Sequence, residues 1–413
     1  MKINGKYTVL AGLYLAQTLP GHFFTNAFPV ILRQEGASLQ TIGLLQIMAL
    51  PWVLKFLWAP LVDRLAAKGG GYARYIIGLE IAFALVSVAL AFFDFRQNFN
   101  LVLLLMGLSF FVAATQDIAT DAYAIRLLDP SQRGVGNGVQ TGANMLGAVL
   151  GAGGALIMYT HLGWQKTMLV IGLVVFLPLI PLLGAKPEKP FEQNRPKAGF
   201  RDLLTFLKDS AKRKWLLLIF LANGCGMAAI FMSKPLLVDL GFSPDFIGFA
   251  SGIYGVGIGV AGAFVGGLMV SRWGKRKVFL AGLLFNCLGV LFLFPLSLGY
   301  KNLVYLFVGM GVSLNAFAFL LTAINTIAMD HARIGREGCD YSLQLAVSFL
   351  GGVVLSGISG VVAHNFGFAA LFGGLSLLSL LVFGLTQRIW PKIQSPSGGH
   401  SDTPLVKAGS ATP

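Results

Sequence analysis

Apolar runs long enough to cross a bilayer, about 20 residues each, alternate along this chain with short polar breaks. The pattern predicts helical spans at 8–32, 40–62, 75–95, 99–124, 134–159, 164–185, 215–239, 244–270, 278–298, 303–328, 341–363 and 367–389. The expected fold class is therefore an all-α membrane protein of twelve transmembrane helices. Its narrowest joints fall at 96–98 and 364–366. The first run, Tyr7 to Leu32, is too long for the apolar region of a signal peptide. No small-x-small cleavage site closes it, so it reads as the first span.

The longest polar break, 186–214, leaves six spans on either side. This predicts an N-terminal six-helix bundle over 1–185, a cytoplasmic linker over 186–214, a C-terminal six-helix bundle over 215–390 and a disordered cytoplasmic tail over 391–413. Within the linker, Phe200, Leu203, Leu204 and Leu207 share one helical face. That pattern suits a short amphipathic helix on the inner membrane surface. The two bundles repeat weakly. Pro60-Leu61-Val62-Asp63-Arg64 after the second span corresponds to the break at Gly267–Lys277 after the eighth. Arg126, Arg133 and Gln140 correspond, at an offset near 204, to His331, Arg336 and Gln344. A repeat of this kind implies a pseudo-two-fold axis along the membrane normal. Glycines recur at intervals of four in the fifth span (Gly134, Gly138, Gly142) and in pairs in the eighth (Gly248/Gly252, Gly255/Gly259, Gly262/Gly266). Such faces let helix backbones approach closely.

Composition sharpens the picture in one respect: 12% charged residues and a mean hydropathy of +0.74 leave no room for a sizeable soluble domain. The net charge of +14 follows loop position and does not make a nucleic-acid surface. With the N-terminus inside, 25 of the 31 Lys and Arg residues fall on the inner side. The outer segments hold only Arg33, Arg96, Lys166 and Lys301, and Lys55 and Lys234 lie within spans. Both termini are then cytoplasmic, and the expected location is the bacterial inner membrane. The three cysteines form no CxxC pair or Cys/His cluster, so no metal site is expected. GxSxG, Walker A and HExxH are all absent, which excludes the common enzyme classes and direct nucleotide-driven pumping.

The residues Ala59-Pro60-Leu61-Val62-Asp63-Arg64 and the later Gly274-Lys275-Arg276-Lys277 resemble the loop motif of the major facilitator superfamily. The stretches Thr41–Arg64 and Thr115-Gln116-Asp117-Ile118-Ala119-Thr120-Asp121-Ala122-Tyr123 are similar to the AmpG/acetyl-CoA transporter branch of that superfamily. Size and overall pattern resemble siderophore permeases of the RhtX/FptX type. The loop departs from the superfamily pattern after Asp63, where Arg64-Leu65-Ala66-Ala67-Lys68 follows, and Ser271 stands where the second loop would have its Asp. The resemblance implies a secondary transporter importing an iron-siderophore complex with protons. The alternatives are a muropeptide permease of the AmpG type or a membrane solute sensor. The implied partners are the lipid bilayer, a small solute and protons, with the chain as a monomer and no cofactor.

Ionisable groups inside a membrane are costly and become candidates for function. Asp117 and Asp121 share a face of the fourth span. Asp117 suits either proton coupling or a structural pair. Asp121 is a second coupling candidate but suits a cytoplasmic gate better, pairing with Arg126, Arg64 or Lys55. His22 is a third coupling candidate because it titrates near neutral pH. The gate is expected to comprise Asp63, Arg64, Lys55, Arg126 and Arg272, with Lys55 either snorkelling inward or pairing with Asp117. Candidate cavity residues are Gln17, His22, Asn26, Asn223, Phe231, Lys234, Asn315 and Asn325; the resemblance implies that spans one, four, seven and ten line that cavity. Glu80, six residues beyond Arg74, is expected near the inner interface.

Overall fold

The computed structural model describes residues 5–36, 45, 48, 50–184 and 198–392; the start of the second expected span, the linker up to 197 and the tail from 393 lie outside the described residues. Every regular element among the described residues is helical. In chain order they are α1 (Gly5–His22), α2 (Phe28–Gln34), α3 (Leu50–Leu54), α4 (Ala59–Gly69), α5 (Tyr72–Ala89), α6 (Phe99–Leu127), α7 (Arg133–Val149), α8 (Ala155–Phe176) and α9 (Leu179–Leu183). The second part has α10 (Arg201–Lys208), α11 (Ser210–Asp239), α12 (Pro244–Gly248), α13 (Gly255–Trp273), α14 (Lys275–Leu291), α15 (Phe294–Ser297), α16 (Leu303–His331) and α17 (Glu337–Ile389).

By length and apolar composition, 8 continuous helical stretches among the described residues are able to cross a membrane. The expected spans are more numerous for two physical reasons. Two stretches, Arg133–Leu183 and Glu337–Ile389, are 51 and 53 residues long and each carries one non-helical residue, Gly163 (φ 75°) or Gly367 (φ 81°). Only glycine enters this left-handed region without a Cβ clash, so the break needs no polar loop; the expected gap at 364–366 is itself helical. The first two apolar runs fall short for other reasons: the first is helical throughout 5–34 but carries Gln17, His22 and Asn26, which lower its hydropathy, and the start of the second lies outside the described residues. A π turn at Phe23–Ala27 separates α1 from α2, and a 3-10 turn at Lys55–Leu57 separates α3 from α4.

Packing repeats along the chain. Helix α1 lies on α7 as α11 lies on α17, and α5 packs on α6 as α14 packs on α16. The correspondence reaches single residues. A Cβ on Gly147 would lie 3.0 Å from the Leu15 carbonyl oxygen, and one on Gly351 only 2.1 Å from that of Phe220. Beside these contacts, Thr18 Oγ1 lies 2.8 Å from Asn144 Oδ1, while Asn223 Nδ2 donates to the Ser348 carbonyl at 2.9 Å. Each pair is separated by the 204 to 205 residues that the loop motifs suggest.

Most basic loop residues gather at one end of the helices, called here the basic end. At the opposite end, Trp164 donates to the Leu90 carbonyl at 2.8 Å and stacks among Phe23, Phe28 and Phe95. Arg96 there grips Glu35 with two bonds of 2.9 and 2.5 Å, holding that carboxyl below its ordinary range. The expected amphipathic helix is α10. Phe200, Leu204 and Leu207 are exposed, while Phe206 and Asp202 are buried against the second part of the chain.

Candidate functional site

The 3-10 turn after α3 carries Lys55, which is 3% exposed and does not reach the basic surface. Its ammonium forms an ion pair with Asp117 Oδ2 on α6 and lies 3.4 Å from Asp121 Oδ2, one turn further along that helix. Both carboxylates are completed by neutral donors. Gln17 Nε2 donates to Asp117 Oδ1 at 2.7 Å; Tyr14 Oη and Gln140 Nε2 donate to Asp121 Oδ1 at 2.8 and 3.1 Å. Three helices, α1, α6 and α7, and the turn at Lys55 therefore converge on one charged cluster in an apolar surround. Tyr341 of α17 reaches it from the second part of the chain, 3.4 Å from Gln140 Oε1. Beside Gln17 a narrow crevice, without room for a water molecule, is lined by Gly21, Phe24, Trp52, Phe83, Ser109, Phe110 and Ala113.

Of the expected alternatives, Lys55 pairs with Asp117 and does not snorkel inward, and Asp121 takes Lys55 from its three expected partners. Lys55 belongs to the interior cluster. Asp121 is bound by Lys55, Tyr14 and Gln140, because Arg126 is drawn instead to Glu337 of α17 at 3.1 Å. Arg64 and Arg272 are exposed at the basic end and form no ion pair among the described residues. Asp63 is fully buried there. Its Oδ1 accepts from the Gly338 amide at 2.9 Å and from Tyr72 Oη at 2.7 Å, and its Oδ2 accepts from the Cys339 amide at 2.8 Å. Helix α17 begins at Glu337, and the preceding Arg336 supplies no side-chain cap. A carboxylate from α4 thus caps the N-terminus of α17, satisfying two of its free N–H groups and meeting its positive dipole end.

Two further contacts close the same end. Arg133 of α7 donates to Asp330 of α16 at 2.5 Å, and Lys275 of α14 pairs with the same carboxylate. Helices α7 and α13 meet on glycine: a Cβ on Gly134 would lie 2.6 Å from the Gly267 oxygen, one on Gly267 2.5 Å from the Gly134 oxygen, and one on Gly138 2.9 Å from that of Ala263. Glu337, Asp330, Tyr72, Gly338 and Cys339 were not singled out by the sequence. They fall in the polar breaks between the expected spans, and only the fold, which makes them helix ends, brings them opposite Asp63, Arg126 and Arg133.

The cavity candidates are dispersed. Gln17 joins the cluster, leaving its Oε1 buried without a donor. His22 is half-buried and meets Asn26, its Nδ1 3.2 Å from Asn26 Nδ2, with no contact to the carboxylates. Asn223 binds the α17 backbone and also leaves a buried, unpaired Oδ1. Asn315 is corrected to a helix-packing role: its Nδ2 donates to the Ile258 carbonyl at 3.0 Å, and its backbone fills the space that a side chain at Gly262 would need. Asn325 is buried, whereas Phe231 (55% exposed) and Lys234 lie open on α11. Glu80, six residues beyond Arg74 on α5, is 0% exposed and accepts a hydrogen bond from Gln116 Nε2.

Comparisons with known proteins agree with this architecture. The sequence profile of the Major Facilitator Superfamily matches residues 10–243 and 216–411. A putative transporter AmpG 1 of Rickettsia bellii is 26% identical over 398 residues, covering 89% of this chain and 94% of that protein. The anhydromuropeptide permease of Escherichia coli K12 is 26% identical over 287 residues, covering 68% of this chain and 58% of that one. Among solved structures, the human organic anion transporter MFSD10 superposes with a TM-score of 0.74 at 18% identity, covering 92% of this chain and 98% of that one. The transporter FucP, in its outward conformation, superposes with 0.70 at 15% identity, covering 94% and 99%. The chain belongs to the Major Facilitator Superfamily and is a membrane transporter.

Proposed function

We propose that this protein is a secondary carrier of the AmpG type, moving a sugar–peptide fragment of peptidoglycan across a bacterial inner membrane in exchange for proton free energy. The cargo rests on one observation: similarity along nearly the whole chain to a transporter named AmpG, joined by similarity to an anhydromuropeptide permease. The siderophore cargo implied by overall resemblance has no counterpart among these relatives. Chemistry favours the same side. A fragment of this class is rich in hydroxyl and amide N–H donors, and Gln17 Oε1 and Asn223 Oδ1 are buried acceptors without a protein donor.

In this reading the helices form twelve spans in two six-helix bundles, with the basic end cytoplasmic. The present conformation is sealed at that end by Asp63, Arg126, Arg133 and the glycine contact of α7 with α13. Coupling falls to the Lys55 cluster. Two carboxylates against one ammonium leave an excess negative charge in an apolar surround, which a bound proton removes. Asp121 shares Gln140 with Tyr341 of the second bundle, so a change in its charge alters a contact across the seal. Protonation and closure are thereby linked.

The test is uptake into proteoliposomes under an imposed proton gradient, with labelled anhydromuropeptide and a panel of ferric siderophores offered separately. Accumulation of the muropeptide is expected. Asp117→Asn should abolish gradient-driven accumulation and spare solute exchange. Accumulation of a ferric siderophore with no muropeptide flux would overturn the cargo, and binding without any flux would make the protein a sensor.

A further inference from the structure

Glu80 stands outside the Lys55 cluster, and its surroundings specify its chemistry. It lies on α5 opposite Gln116 of α6, and both side chains are 0% exposed. Gln116 Nε2 donates to Glu80 Oε2. The remaining oxygens of the pair, Glu80 Oε1 and Gln116 Oε1, are both buried and both lack a partner. An ionised carboxylate offers only acceptors, so it leaves the Gln116 oxygen unsatisfied. A single proton on Glu80 Oε1 turns that atom into a donor for Gln116 Oε1. Acid and amide then close a ring of two hydrogen bonds in which every polar atom is used.

Charge points the same way. The charged or titratable groups on the helices packed against α5 are Asp117, Asp121, Tyr123 and Arg126 on α6, Asp63, Arg64 and Lys68 on α4, and Tyr159, His161 and Lys166 on α8. None of them bonds or pairs with Glu80 among the described residues. Lys55, a buried cation on the turn after α3, is engaged by Asp117 and Asp121. An unpaired carboxylate in such a place carries a desolvation cost that neutralisation removes.

We propose that Glu80 is a resident carboxylic acid: it holds one proton, shares it with the Gln116 carboxamide, and keeps it throughout the transport cycle. Gln116 directly precedes Asp117, so the acid–amide ring fixes the rotation of α6 that presents Asp117 to Lys55. Glu80 is a positioning residue, and its proton is distinct from any coupling proton of the Lys55 cluster. This holds whatever the cargo is.

Infrared spectroscopy of the full chain reconstituted in phospholipid tests the proposal directly. The chain has five glutamates: Glu35, Glu80, Glu188, Glu192 and Glu337. At neutral pH the spectrum should contain a carboxylic-acid C=O stretch that shifts on ¹³C-glutamate labelling and disappears in Glu80→Gln. Gln116→Leu should retain the band but move it to higher frequency, because the acid loses its hydrogen-bond partner; this keeps the assignment secure if Glu80→Gln fails to fold. The band should persist from mildly acidic to mildly basic medium and under an imposed proton gradient. Glu80→Gln, which copies the neutral acid, should keep the wild-type pH profile of transport, while Glu80→Leu should lose transport several-fold. Absence of a glutamate-sensitive acid band would overturn the proposal. A band that rises and falls with pH or with the gradient would overturn it equally, by making Glu80 a coupling group.

Discussion

At the scale of single residues, Lys55 has the least freedom to change. Among the described residues it is the one cation paired with Asp117 and Asp121, and all three side chains are buried. Removing one partner of a buried ion pair strands the other charge, a cost of about 3–5 kcal/mol. Lys55→Met should therefore lower the apparent unfolding temperature in detergent sharply, and adding Asp117→Asn should recover much of the loss. Additive losses in the double variant would show that the two groups do not act as a pair. The sequence exposed these three residues because charge inside an apolar run is rare. Tyr14, Gln140 and Gln116 were visible without being marked as partners of a carboxylate, since tyrosine and glutamine are unexceptional in a membrane helix until a carboxylate is placed against them. Glu80 was visible as a charge but its partner Gln116 was not, because the sequence does not say which face of α6 meets α5.

At the scale of elements, glycine decides how closely helices approach. The four-residue glycine spacing of α7 was legible, and so was its implication of close packing. The partner was not, because spacing carries no information about which helix is met. In the fold, Gly134 and Gly138 meet Gly267 and Ala263 across the two parts of the chain. This contact must part if the basic end is to open, so it is built from surfaces that lose little when they separate. Gly267→Val would place a Cβ 2.5 Å from the Gly134 oxygen, and something must move. Spin labels at the exposed positions Arg64→Cys and Arg272→Cys, in a background free of native cysteine, should report a longer and broader distance in Gly267→Val. Gly257→Ala on the same helix meets nothing within 4 Å and should leave the distance unchanged. An unchanged distance in Gly267→Val would mean that α7 and α13 do not hold the basic end shut.

At the scale of the whole molecule, the division into two similar parts was legible from loop motifs at a constant offset, but the way one part holds the other was not. Asp63 looked like half of a gate built from side-chain charges. Its partners are main-chain amides, Gly338 and Cys339, and main-chain donors leave no mark on a sequence. Their position makes the seal measurable. The Cys339 thiol is buried beside the very amide that Asp63 binds, so reagents reach it when the basic end opens. Loss of an N-terminal cap costs about 1–2 kcal/mol, which raises the population of an opened state by a factor of about 5–30. In a Cys225→Ser, Cys287→Ser background, alkylation of Cys339 by a membrane-permeant maleimide should thus be slow in the otherwise native chain and faster by about that factor in Asp63→Ala. Tyr72→Phe, which removes one of three donors to Asp63 and leaves the cap in place, should fall between the two. Equal rates in all three would mean that the cap does not govern opening, and the seal would then rest on the ion pairs of Glu337 and Asp330 and on the glycine contact of α7 with α13.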